Sequence, residues 1–240
     1  MTATATPGPL LGPLLAACFS ASVHGGRVIR EVVQQHVALD MVNKQEGAYD
    51  PQTVADRRSQ QRIIHALREA FPLLTIVGEE GELAPPAPED VVQCDLQALD
   101  DVAFEGGEDV RDRALDWNDL VLWVDPLDGT KRFAAKMYDE VSVLIGITYK
   151  QRPIAGVVHL PFHGEHGVTY WGTSPLIRCS CRSIANAFAA LLQAARVLAS
   201  SAASTRRARP RRRTPRSPSR RPCSPSARSS APCRPPTATW

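Results

Sequence analysis

Apolar positions fall into helical stripes over the first third of the chain and into β-branched runs over the middle third. From about Leu10 to Gln35 the spacing predicts a first amphipathic helix running into Val28, Ile29, Val32 and Val33. A loop through Gly47, Tyr49, Asp50 and Pro51 follows. Ala55 to Phe71 then sets Ile63, Ile64, Leu67 and Phe71 on one face with charges opposite, a second helix stopped by Pro72. Leu73 to Val77 reads as a short buried strand ending on Gly78-Glu79-Glu80. Gly81 to Asn118 keeps no period and is rich in Pro, Glu, Asp and Gly, which predicts a long acidic insertion or surface loop with a short helix near Val91 to Leu99. Four apolar runs come next: Leu120 to Val124, Val141 to Tyr149, Ile154 to Leu160 and Gly167 to Trp171. Lys150-Gln151-Arg152-Pro153 is short enough for an antiparallel hairpin, which argues against a purely parallel sheet. The expected fold class is therefore α/β: a layered domain of helices on a largely antiparallel sheet over residues 1–174.

After Ser174 the pattern breaks. Ile184 to Leu198, within residues 175–204, can form an Ala-rich helix, whereas residues 205–240 are Arg, Pro, Ser and Ala with almost nothing to bury and are expected to be disordered. Charge follows the same seam. Arg206 to Trp240 holds 11 Arg and no acidic residue, so residues 1–205 carry 17 basic against 25 acidic groups and the formal net of +3 describes neither part. The six cysteines lack CxxC and zinc-finger spacing, which points to reduced thiols in a cytoplasmic protein. No apolar run reaches the roughly 20 residues that span a bilayer. Leu10 to Phe19 is apolar, but no Lys or Arg precedes it and Pro13 interrupts it, so a first helix is the better reading than a secretory signal.

The chemistry concentrates in Asp125-Pro126-Leu127-Asp128-Gly129-Thr130. Two carboxylates three residues apart at the end of an apolar strand, with Pro126 fixing the backbone and Gly129 allowing a tight turn, can aim at one point together with the carbonyl of Leu127. Mg²⁺ seeks such oxygen ligands and takes the remainder from water and phosphate. The amides of Gly129 and Thr130, if they open a helix, offer a seat for a phosphate oxyanion. Glu79 marks a second acidic strand end, and nothing in the pattern alone shows that the two ends meet. Asp-Pro and Asp-Gly are also common turn dipeptides. Thr130 alternatively caps the following helix, Glu80 stands as the solvated neighbour of Glu79, and Lys131 and Arg132 read equally as anion-attracting or as a solvated pair. His159, His163 and His166 lack partners at zinc-ligand spacing and read as loop and strand residues.

These residues resemble the inositol monophosphatase superfamily of lithium-sensitive, Mg-dependent phosphatases, and most of all its 3′(2′),5′-bisphosphate nucleotidase branch. The likeness rests on Trp123 through Lys131, supported by Leu74 to Glu80, Asp50 to Asp56, and Val141 to Ile147 followed by Ile154 to Val157, in the family's order across about residues 10–172. The resemblance implies Mg²⁺ held by Glu79, Asp125, Asp128 and the Leu127 carbonyl. It implies that Thr130, assisted by Asp50, orients and deprotonates the attacking water. The implied reaction is hydrolysis of a phosphate monoester, with 3′-phosphoadenosine 5′-phosphate as first substrate and an inositol phosphate as the alternative.

The sequence departs from the family after Gly172. The family's smaller domain supplies a further metal-binding aspartate in a Trp-Asp pair, and no such pair, nor any Asp after Asp139, occurs here. The expectation is an N-terminal domain only, truncated and weakly active or inactive, with the tail arising from a shifted reading frame or a retained intron. A function of another class, binding of nucleic acid or an acidic partner, rests on the Arg-rich tail alone, which has no interleaved aromatics apart from Trp240. A catalytically dead regulatory relative is a third reading.

Overall fold

A computed structural model describes residues 6–44, 49, 51–104 and 108–173. The expected Ala-rich helix over 175–204, the expected disordered tail over 205–240, and Asp50 lie outside the described residues.

Helix α1 spans Leu11–Gln34 and helix α2 spans Val54–Ala70, both within a residue or so of the spans that apolar spacing predicts. Pro13 falls in the first turn of α1, where its missing N–H leaves no helical bond unmade. Two short antiparallel strands, β1 (Val42–Asn43) and β2 (Pro51–Gln52), join the helices. Strand β3 (Thr75–Gly78) begins the main sheet, which continues through β4 (Leu120–Asp128), β5 (Ser142–Tyr149), β6 (Arg152–Leu160) and β7 (Val168–Thr173). These five strands lie side by side in chain order. The β3–β4 pair is parallel and the other three pairs are antiparallel, so the sheet is largely antiparallel. The α1 and α2 helices pack against β4, β5 and β6. Between them lies the core of Leu14, Leu15, Ile29, Ile63, Leu67, Leu122, Ile145, Ile147 and Val157. The result is a layered α/β unit.

The 81–118 segment differs from expectation in two ways. No helix forms at Val91 to Leu99; Val91 and Leu96 are exposed, so the stretch has no apolar stripe to bury, and Asp95 instead accepts from the Gln97 amide in a local turn. The helical pieces are a 3-10 turn at Pro88–Asp90, the short helix α3 (Glu108–Arg111) and a 3-10 turn at Trp117–Asp119. Nor does the segment lie loosely on the surface. Leu99, Phe104 and Leu115 enter the core, and Asp90 is buried against Arg58 and Arg62 of α2. Its acidic composition masks these anchors because they come singly.

Among the described residues no helix is long and apolar enough to cross a membrane. Cys18 and Cys94 are free thiols, the first fully buried.

Candidate active site

Four segments converge where β3 and β4 end. The parallel register pairs Gly78 with Val124, and the Glu79 amide continues the ladder by donating to the Val124 carbonyl at 2.9 Å. This register brings the two acidic strand ends together: Glu79 stands beside Asp125, close enough for each carboxyl group to feel the charge of the other. Enclosure of Asp125, then the neighbouring charges of Glu79 and Asp128, hold its carboxyl well above the ordinary aspartate range. Sequence pattern alone had left this meeting open.

Turn geometry is set by three residues. Pro126 interrupts the β4–β5 ladder, whose register shifts between Asp125 and Asp128, and its carbonyl accepts from Ser59 Oγ of α2 at 3.0 Å. Gly129 adopts φ 88°, and a Cβ there would sit 2.8 Å from the Glu140 carbonyl oxygen, so the exit from β4 requires glycine. Helix α4 (Thr130–Ala134) starts directly after it. On the β3 side, Gln60 of α2 accepts from the Glu80 amide and donates to the Gly81 carbonyl, each at 2.9 Å, clamping the turn that carries Glu79.

The resulting open cleft of about 320 Å³ is lined by Pro51, Glu79, Asp125, Leu127, Asp128, Gly129, Thr130, Lys131 and Arg132. It gathers the residues singled out in the sequence except Asp50. Thr130 is not a helix cap; Gly129 holds that position. The Thr130 hydroxyl lies 2.9 Å from Asp56 Oδ1 and 3.0 Å from the Leu127 carbonyl. Its described carboxylate partner is thus Asp56, which the sequence reading passed over. Asp56 is buried, and its other oxygen accepts from the Thr53 amide at 2.8 Å and from the Thr53 hydroxyl, closing a capping box on α2. Burial raises its carboxyl above the usual range despite those hydrogen bonds from Thr53 and Thr130. The signal available in sequence was Thr53-Val54-Ala55-Asp56, which reads as a helix start and hides a second role.

Glu80 is not a solvated neighbour. Its side chain is 0% exposed, paired with Lys44 at 2.7 Å and hydrogen-bonded by Gln52. Lys44 also reaches Glu79 at 2.9 Å. His159 is buried beneath Gly26 and Gly167, His163 faces the Asp139 carbonyl, and His166 is exposed beside Glu165, so the three imidazoles go separate ways.

The donor chemistry fits a hard divalent cation: carboxylate and carbonyl oxygens, with neither Asp125 nor Asp128 ion-paired among the described residues. Convergence is partial. Glu79 and Asp125 stand side by side, while Asp128 turns away to accept from Ser142 Oγ at 3.3 Å. Among the described residues no three His, Cys, Asp or Glu side chains meet closely enough to hold a metal by themselves.

Comparison with known proteins gives the family. The model of the inositol monophosphatase family matches residues 11–231, further than the span of about 10–172 over which the sequence motifs carry the resemblance. The human 3′(2′),5′-bisphosphate nucleotidase 1 is 36% identical over 181 residues, covering 70% of this chain and 55% of that protein. Inositol monophosphatase 3 of Xenopus tropicalis is 28% identical over 156 residues, covering 64% and 42% respectively. Among solved structures, the extragenic suppressor protein suhB from Bartonella henselae overlaps 68% of this chain and 49% of its own, with TM-score 0.46 and 21% identity. The chain spans about half the length of the curated relatives it matches. It belongs to the inositol monophosphatase family.

Proposed function

We propose that the cleft hydrolyses a phosphate monoester with the help of Mg²⁺, and that the 3′-phosphate of 3′-phosphoadenosine 5′-phosphate is the group removed. The observation that carries this reading is the contact of Glu79 with Asp125 across the parallel β3–β4 pair, beside a threonine whose hydroxyl is tied to a buried aspartate. Carboxylates are crowded together at the energetic cost of like-charge repulsion, which a structural role does not require.

Glu79, Asp125, Asp128 and the Leu127 carbonyl would hold the cation. When bound, Mg²⁺ neutralises these charges, lowers the pKa of a coordinated water and stabilises the leaving oxygen. The remaining work falls to the chain itself. By donating its hydrogen to Asp56, Thr130 keeps its oxygen lone pairs for a water proton, and Asp56 receives the proton passed on. Burial makes Asp56 a better proton acceptor than an exposed aspartate, which suits that task. The amides of Gly129 and Thr130, at the turn that opens α4, are the groups offered to a phosphate oxygen.

The relative named 3′(2′),5′-bisphosphate nucleotidase 1 favours the nucleotide over an inositol phosphate, the second substrate class. Phosphate release from both compounds, with and without Mg²⁺, tests the reading. Mg-dependent turnover abolished by Asp125→Asn is the expected result; metal-independent release, or none from either compound, defeats it.

A further inference from the structure

The charges around the cleft are not equivalent. Lys44 is tied to Glu79 and Glu80. Arg132 lies 3.2 Å from Glu140 through its Nε, and its guanidinium faces the Met137 sulfur at 3.7 Å. Lys131, which lines the same cleft, has no carboxylate partner among the described residues. Its ammonium instead lies 5.8 Å from the centre of the Tyr49 ring, which is itself 59% exposed.

We propose that Lys131 binds a second anionic group of the substrate and so selects bisphosphorylated over monophosphorylated compounds. This rests on the phosphatase reading above and adds a residue to it. The argument begins with adjacency. Lys131 directly follows Thr130 and lines the same cleft, so its ammonium is within reach of a small molecule whose phosphate faces Thr130. Among the described residues the partner of this cation is an exposed aromatic face, a weak contact that is readily given up when an anion arrives. Arg132 would first have to break its pairing with Glu140. The flexible lysine stem presents a point charge that can follow the position of a phosphate. Acidic groups at the cleft floor repel any anion not neutralised by the cation they hold, which makes a separate positive site for a second phosphate more valuable.

The test compares adenosine 3′,5′-bisphosphate with adenosine 3′-phosphate by titration calorimetry on the full chain. Ca²⁺ replaces Mg²⁺ so that binding is read with little turnover. The wild type should prefer the bisphosphate by about 10-fold or more, as expected for one charge-assisted contact. Lys131→Met should remove that preference, with the bisphosphate losing more affinity than the monophosphate, and Lys131→Arg should keep most of it. A preference that survives Lys131→Met, or a wild type that binds both alike or neither, overturns the proposal. Equal losses for both compounds overturn it too, because they mean general attraction of anions. The two readings fail separately. A chain that binds the bisphosphate selectively but releases no phosphate in Mg²⁺ refutes catalysis alone. A chain that hydrolyses both compounds without discrimination refutes the role of Lys131 alone.

Discussion

Thr130 and Asp56 stand 74 residues apart in sequence, and their side chains meet at 2.9 Å. If Asp56 draws the proton that Thr130 collects, Thr130→Ala should lower kcat by about 10² to 10⁴-fold with KM nearly unchanged, while Thr130→Ser keeps most activity. Asp56→Asn should match the alanine variant in rate and also weaken the start of α2, by about 1 kcal/mol in urea unfolding. His159 makes a second prediction at this scale. It is 2% exposed, its Nδ1 is 2.8 Å from the Thr169 hydroxyl, and burial followed by the charges of Arg27 and Arg30 pushes its pKa down to about 4. A histidine held neutral in the fold contributes stability that is fully present above about pH 6.5, its unfolded value, and is lost as pH falls toward 4. The wild type should therefore lose about 3 kcal/mol more than His159→Leu between pH 7 and pH 4 in paired urea titrations. Asp125 and Asp128 were legible in sequence because a strand end, a proline and a glycine lie within six residues. Asp56 was not, because a capping aspartate and a proton acceptor look the same until Thr130 arrives from the start of α4.

Elements were easier to read than their ends. Helices α1 and α2 announce themselves through stripes of three to four residues, and the β5–β6 hairpin through a loop too short for a crossover. The parallel β3–β4 pairing was invisible, since two short apolar runs separated by some forty irregular residues carry no mark of their mutual direction. Yet that pairing is what joins Glu79 to Asp125. The extension of β4 to Asp128 was also hidden, because Pro126 reads as a strand breaker and is accommodated by a shift in register. The turn from β4 into α4 is where the fold tolerates least. Gly129→Ala places a side chain at φ 88° and within 2.8 Å of the Glu140 oxygen. The left-handed backbone alone costs about 1–2 kcal/mol, and the close contact adds to it. We expect a fall in Tm of about 4 °C or more by calorimetry, together with loss of turnover, because the same turn aims Asp128 and Thr130. An unchanged Tm would mean that the turn relaxes at little cost.

Across the whole molecule, the cleft sets stability against function. Two carboxylates in contact and a third nearby weaken the cation-free protein, since Asp125 is enclosed beside like charges and has no cationic partner among the described residues. Lys44 offsets part of this through Glu79 and Glu80, where its hydrogen bonds to both outweigh the effect of burial and hold its pKa above the ordinary lysine value. Removing the charge at the centre should therefore stabilise the cation-free fold: Asp125→Asn is expected to melt higher than the wild type in EDTA. Mg²⁺ should reverse the order. Binding to the folded state alone adds about 2.7 kcal/mol when the ion is at 100 times its Kd, enough to raise the wild-type Tm by about 5–10 °C. The variant, lacking the central ligand, should move far less. The crossing of the two Tm values between EDTA and saturating Mg²⁺ is the diagnostic, and it needs no turnover to be seen. If Asp125→Asn melts lower than the wild type in EDTA, then Asp125 is held by favourable contacts rather than against repulsion. In that case its enclosure serves the fold, and the physical argument for a cation at this cleft loses its main support.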